Sequence, residues 1–306
     1  MTTVVFPGQG SQYVGMSRDF YDNFSIAKST FHEIEEYIQI DLKKIIFDNE
    51  NNKLDITQFT QISIFTASII IYKTLQKELV LENSKIEVMM GHSLGEYTAL
   101  ACSEKLSLKD SCLILKKRGE LMNNAVKPNI SGMAALIGRD SSFVQQIIDD
   151  NNINLEIAND NSPKQVVISG KIEEIEKNKE LFLKNGIIRY VILNVSAGFH
   201  SKLMMDAQIA LSKEIDELKF FSNKINIISN YDANISNDSL SIKNSLQHQM
   251  ANRVNWTNSV KKLEEIGQYK IIEIGPGKVL SGLMRRISDK FDIKSFNQIS
   301  DIKKYE

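Results

Sequence analysis

Apolar residues recur along this chain with two periods, and the alternation between them lays out its elements. Thr3–Phe6 and Glu87–Met90 are short, nearly continuous apolar runs, the pattern of strands covered on both faces. The longest apolar stretch, Ile62 to Tyr72, is interrupted by Ser63, Thr66 and Ser68 and is too short to span a bilayer, so it predicts a buried helix. Ser107 to Asn123 opens with Ser-x-x-Asp (Ser107, Asp110), a variant of the capping box, and reads as a helix.

Between about 131 and 194 the elements alternate tightly. Gly132–Ile137 reads as a strand and Ser141–Asp150 as a short helix; Ile153–Ala158 and Gln165–Ser169 read as strands joined by the turn-forming Asn159 to Pro163. An amphipathic helix over Ile172–Leu183 and a strand over Ile187–Leu193 follow. That order, β-α-β-β-α-β, is the ferredoxin-like split unit. Beyond it come a helix over Lys202–Leu218, a strand over Ile225–Ser229 and a strand–turn–helix over 271–283. The chain therefore predicts a parallel-sheet α/β body, built from two separated stretches, with a small domain inserted into it.

The candidate chemistry starts at Gly91-His92-Ser93-Leu94-Gly95, a G-x-S-x-G frame between Val88-Met89-Met90 and the helix-prone Leu94–Cys102. A strand feeding a helix through so tight a turn strains the central residue and leaves its hydroxyl projecting at the tip, the geometry of a nucleophile. A serine needs a base within hydrogen-bond reach. His200 is the best placed, in a loop between the last strand of the insertion and the next helix. His92 sits inside the turn and supports it, His32 lies in an acidic helix, and His248 has no clear role.

Periodicity gives the second clue. Ile114, Leu115, Leu121 and Met122 fall within about 60° of Arg118 on the 107–123 helix, so the arginine stands in the centre of the apolar stripe. A buried guanidinium needs a carboxylate. An internal Asp or Glu and a ligand carboxylate are both open. The Gly-rich Phe6 to Gln12 loop after the first strand could bring backbone N–H groups to a ligand, but matches neither nucleotide-binding spacing. Gly275-Pro276-Gly277 reads as a structural turn, and Arg285 and Arg286 as solvated helix charges.

Bulk properties narrow the classes. The 306 residues carry 37 basic and 38 acidic side chains, net −1, so no global field argues for nucleic acid or a membrane surface. The opening Met1–Phe6 has no basic segment of the secretory kind, and Cys102 and Cys112 lack metal-ligand spacing, so free core thiols in a cytoplasmic protein are expected. The four histidines do not cluster, and no metal is expected.

With these residues in place, the chain resembles the malonyl-CoA:acyl carrier protein transacylases, both the stand-alone fatty-acid enzymes and the acyltransferases of polyketide synthases. The blocks that carry the likeness span nearly the whole length: FPGQGSQ at the start, Thr60-Gln61, GHSLGEY at 91–97, Lys117-Arg118-Gly119, NDNSPKQVVISG at 159–170, Phe199-His200-Ser201, VNWTNSV at 254–260 and EIGPGKVLSGL at 273–283. The resemblance implies an α/β-hydrolase-like large subdomain over 1–126 and 198–306 and a ferredoxin-like small subdomain over 127–197. It implies Ser93 as the acylated nucleophile and His200 as its base and acid, with the backbone carbonyl of Gln249 holding the imidazole. The amides of Gln9 and Leu94 would form the oxyanion hole, Arg118 would bind the malonyl carboxylate, and Gln61 and Phe199 would touch substrate. No cofactor is implied beyond malonyl-CoA and the phosphopantetheine of an acyl carrier protein partner, and a monomer is expected.

Two positions depart from the family pattern: Ile62 stands where proline usually follows Thr-Gln, and Asn252-Arg253 where Asn-Pro usually precedes the tryptophan block. Phe199 before the histidine resembles malonyl-selective polyketide enzymes, and with the stand-alone length points to an enzyme acting in trans for a polyketide pathway. An acyl hydrolase using the same serine and histidine is the alternative, and a non-catalytic docking subunit a more distant one.

Overall fold

The chain, described by a computed structural model over residues 1–78, 81 and 85–303, is built on two sheets. Among the described residues the strands are β1 (Thr2–Phe6), β2 (Ile86–Gly91), β3 (Ser131–Ile137), β4 (Leu155–Ser162), β5 (Gln165–Lys171), β6 (Arg189–Ile192), β7 (Asn226–Ile228), β8 (Ile235–Ser236), β9 (Lys270–Ile274) and β10 (Asp292–Phe296). The larger sheet has the order β10-β9-β1-β2-β7-β8. Its first five members run parallel, and only β8 is antiparallel.

Both faces of this sheet are covered, which is why its strands read as continuous apolar runs. Val4, Phe6 and Met89 point into a core with the helix Thr57–Lys77, while Val5, Val88 and Met90 meet Trp256, Val260, Leu280 and Met284 on the other side. The Ile62–Tyr72 stretch is indeed a buried helix interior. Ile62 lets that helix run on for 21 residues. A proline there would lack the N–H for the ladder and clash with the carbonyl four residues back.

The smaller sheet is antiparallel, in the order β4-β5-β3-β6, the ferredoxin-like arrangement. One face, with Ala134, Leu136, Val166 and Ile168, packs on its own helices; the other, with Met133, Ala135 and Val167, joins the main core beside Phe199. The fold is thus an α/β-hydrolase-like body carrying a ferredoxin-like insert. Positions 304–306, the end of the expected second stretch of the body, lie outside the described residues.

Three expected boundaries shift. The Asn159–Pro163 turn contracts to Pro163-Lys164, because β4 runs on to Ser162 through two register irregularities. Its outer edge finds a partner there: the Asp160 amide donates to the Val254 carbonyl (2.9 Å) and the Val254 amide to Ala158 (2.8 Å). Tertiary pairing overrides the turn preference of Asn and Asp. The 172–183 helix breaks at Asn178, whose side-chain amide donates to the Glu174 carbonyl at 2.8 Å. The 202–218 helix begins as a 3₁₀ turn over Lys202–Met204 and becomes α-helical at Met205–Asp216.

Candidate active site

β2 ends at Gly91, the helix Leu94–Cys102 begins three residues later, and Ser93 makes the turn with φ 54° and ψ −108°. That backbone is disfavoured for a serine, at a cost on the order of 1–3 kcal/mol. The flanking glycines supply space. A Cβ on Gly91 would lie 2.1 Å from the Gly95 carbonyl, and one on Gly95 would lie 2.2 Å from the Phe6 oxygen. Asn230, just beyond β7, holds the strained turn: its Oδ1 accepts from the Ser93 amide (2.6 Å) and its Nδ2 donates to the Gly91 carbonyl (2.7 Å).

Ser93 Oγ lies 2.8 Å from His200 Nε2. On the far side of the ring, Nδ1 is 3.1 Å from the Gln249 carbonyl and 3.2 Å from the Asn252 carbonyl. Two carbonyls can only accept, so Nδ1 carries the proton and Nε2 is left with the lone pair facing the serine. His200 itself has φ 53°, a second left-handed residue at the site. Its loop is pinned from the insert, where Gly198 N donates to Ser131 Oγ at 2.9 Å.

Arg118 lies directly behind the hydroxyl and is fully buried. Its Nη1 donates to Gln61 Oε1 (2.7 Å), and its Nη2 to Ser93 Oγ and Gln249 Oε1 (both 2.9 Å). The guanidinium sits over the Tyr97 ring, 5.2 Å from its centroid, and Nε has no hydrogen-bond partner among the described residues. Among the described residues no carboxylate forms an ion pair with it, so the internal Arg–Asp/Glu pair left open by the sequence does not form. Burial is the first cause that pulls the Arg118 pKa down.

Hydrogen-bonded in this way, Ser93 Oγ accepts a hydrogen bond from Arg118 and donates one to His200 Nε2. Burial first, then the Arg118 charge, then His92, push the His200 pKa down to about 3, and the two carbonyls oppose the shift only in part. His200 is therefore a neutral base at ordinary pH.

A cavity of about 310 Å³ opens beside the hydroxyl, between the two sheets, lined among others by Gln9, Ser93, Met122, Leu193, Phe199 and His200. Neither Arg118, enclosed behind the hydroxyl, nor Gln61 lines it. Gln61 stands behind Arg118, its Nε2 against Met122 Sδ at 3.3 Å. The amides of Gln9 and Leu94 have no hydrogen-bond partner among the described residues. His92 Nε2 reaches Asn161 Oδ1 of β4 at 2.8 Å and supports the turn as expected, while His32 and His248 stand at the exposed surface. Arg286 reaches Gln165 of β5 at 2.7 Å, an exposed link between body and insert. Cys102 and Cys112 are buried free thiols. Among the described residues no cluster of three His, Cys, Asp or Glu could hold a metal, and no helix is long and apolar enough to cross a membrane.

Sequence reasoning missed Asn230, Glu96 and the Asn252 carbonyl. One signal was available for the first: Asn230 lies at the carboxyl end of a strand beside β2, where ligands gather in open parallel sheets.

This geometry meets a matching family. Residues 3–304 match the acyl transferase domain. The chain belongs to that family, and within it to the malonyl CoA-acyl carrier protein transacylases. The transacylase of Bacillus subtilis strain 168 is 36% identical over 288 residues, covering 93% of this chain and 89% of that protein. That of Salmonella typhimurium LT2 is 33% identical over 297 residues, covering 96% and 95%. Among solved structures, an acyl carrier protein S-malonyltransferase from Vibrio cholerae matches at TM-score 0.93 and 35% identity, covering 100% of this chain and 99% of that one. A malonyl-transacylase in complex with its type II PKS acyl-carrier protein matches at TM-score 0.93 and 31% identity, covering 99% and 98%.

Two measurements check the site. Asn230→Ala removes both bonds that hold the strained serine; stability should fall by about 1–3 kcal/mol in urea unfolding and the malonyl-transfer rate by about tenfold. In histidine-labelled protein, the ¹⁵N shifts of His200 should remain those of the neutral Nδ1–H tautomer down to about pH 5, because its depressed pKa keeps the proton off Nε2. A midpoint near the ordinary 6.5 would contradict the buried, cation-flanked environment.

Proposed function

We propose that this chain is an [acyl-carrier-protein] S-malonyltransferase, moving a malonyl group from malonyl-CoA to the phosphopantetheine thiol of an acyl carrier protein in fatty acid or polyketide biosynthesis. The observation that carries the reading is the buried guanidinium of Arg118, without an internal carboxylate and 2.9 Å from the Ser93 hydroxyl. A cation placed there suits an acyl group that brings its own negative charge. A hydrolase for neutral acyl chains gains nothing from it, and the intact serine and imidazole pair argues against a docking subunit.

The reaction runs in two halves. Malonyl-CoA enters the cavity with its carboxylate on Arg118, which exchanges its amide and hydroxyl contacts for it. Ser93 Oγ attacks the thioester carbon as its proton passes to His200 Nε2, and the oxyanion rests on the free amides of Gln9 and Leu94. Collapse breaks the C–S bond, and the proton on Nε2 goes to the sulfur of departing CoA. The carrier's thiol then gives its proton to the same nitrogen and attacks the Ser93 ester. Collapse of that second intermediate returns the proton to Ser93 Oγ. The Gln249 carbonyl, with that of Asn252, holds the imidazole in the tautomer both halves need.

Phe199, buried at the cavity wall, crowds the space where an α-methyl would sit and favours malonyl over methylmalonyl; one methyl group is worth only about 1–3 kcal/mol. Gln61 acts on substrate through Arg118. The reaction needs no cofactor beyond its two substrates. We place the insert at 127–197 and the body at 1–126 and 198–306, and the enzyme in the cytoplasm as a monomer that meets its carrier in trans.

Incubation with radiolabelled malonyl-CoA should label the protein once, and Ser93→Ala should abolish the label. Label that survives this change would refute the nucleophile. Arg118→Ala should lower acylation by malonyl-CoA roughly ten- to hundredfold while acetyl-CoA acylation changes little. An unchanged malonyl-to-acetyl ratio would remove the carboxylate clamp.

A further inference from the structure

We propose that Glu96 is a positioning residue for acyl-group selection: its carboxyl fixes the side-chain amide of Gln249, which in turn aims Arg118. This rests on the transferase reading above. Glu96 is buried in the first turn of the helix Leu94–Cys102, and its carboxyl meets the Gln249 side chain and the Asn230 backbone, not the cavity.

Its Oε2 accepts from Gln249 Nε2 at 2.6 Å and from the Asn230 backbone amide at 3.1 Å. The second hydrogen on Gln249 Nε2 goes to the Ser93 carbonyl at 2.9 Å, which leaves Oε1 facing Arg118 Nη2. Turning this amide over would set its oxygen against two acceptor oxygens and its NH₂ against a guanidinium. Only one orientation is satisfied at both ends, and Glu96 supplies one of those ends. Without an acceptor at position 96, one buried N–H of Gln249 is orphaned, and the amide gains a reason to rotate away from Arg118.

Its second contact serves the same end. The Asn230 backbone it anchors belongs to the residue whose side chain holds the Ser93 turn. One carboxyl thus ties the nucleophile's support to the carboxylate clamp. The group is directed at an amide and forms no ion pair with Arg118. Burial above all raises its pKa, to about 7, and its contacts go to the Gln249 and Asn230 N–H groups.

The test is single-turnover acylation of Ser93, read as intact-protein mass, with malonyl-CoA and acetyl-CoA in parallel. Glu96→Gln retains an acceptor oxygen and should keep the malonyl-to-acetyl ratio within about threefold of wild type. Glu96→Ala should lower that ratio at least about tenfold, the malonyl rate falling much further than the acetyl rate. Gln249→Met keeps the backbone carbonyl for His200 and should reproduce the loss. The double variant should then be no worse than Gln249→Met alone. If Glu96→Ala fails to fold by thermal unfolding, Glu96→Met keeps the volume and serves in its place. An unchanged ratio, an equal fall with both acyl groups, or additive losses would each overturn the proposal. Wild-type protein that takes no malonyl on Ser93 is a separate result: it would overturn the transferase reading itself, and is read before any variant.

Discussion

A buried cation with no ion-pair partner among the described residues is the constraint on which this site depends. Arg118 is wholly enclosed, and its neighbours are amides, a hydroxyl and an aromatic ring. Each neutral partner lowers the cost of burying the charge without cancelling it. The residual field falls on His200, across the Ser93 hydroxyl that both contact, where it adds to burial in disfavouring imidazolium. In the proposed reaction the malonyl carboxylate removes part of that penalty when it pairs with Arg118. Imidazolium, which must form in both halves of the transfer, then costs less with a charged acyl group bound than with a neutral one. Substrate choice would be expressed in the chemical step as well as in binding.

Strain is the second thread. Ser93 and His200 both occupy left-handed backbone that their residue types avoid, with φ of 54° and 53°. Such residues persist only where the surroundings over-determine them. Asn230 holds the serine from the sheet side. The histidine is held from both subdomains, its loop by Ser131 on β3 and its ring by carbonyls of the body. The insert packs one sheet face on its own helices and gives the other to the main core, so the seam between the two is fixed by apolar packing. The backbone pairing of Val254 with Ala158 and Asp160 stitches that seam close to the Asn252 carbonyl.

What was legible in the sequence follows from the range of the interactions. The elbow announces itself within five residues, and Arg118 within two helical turns, because close backbone approach and helical periodicity are local constraints. The α/β body and its insert follow from alternating periods and need no long-range information. Asn230, Glu96 and Asn252 were silent because their meaning lies in contacts with residues far along the chain. Glu96 reaches Gln249 across 153 positions, and Asn230 reaches Ser93 across 137. The Asn159–Pro163 segment failed for the same reason: its residues prefer turns until Val254, about 95 positions away, offers the edge of β4 a partner. Arg118 shows the reverse case. Its burial was readable, but not whether protein or ligand supplies the counter-charge.

The imidazole's partners carry the last consequence. A carboxylate at Nδ1 would fix the same tautomer and would also stabilise imidazolium; the two carbonyls here do only the first well. Next to a permanent guanidinium a third charge is not needed for orientation, and a buried carboxylate would itself compete for Arg118. An internal anion strong enough to help His200 would satisfy the clamp before substrate arrived. With neutral carbonyls on the ring and a carboxyl at Glu96 directed at an amide, the positive charge is open to the acyl group in the proposed reaction. The absence of a triad carboxylate and the presence of an unpaired arginine are thus one electrostatic arrangement seen from its two ends.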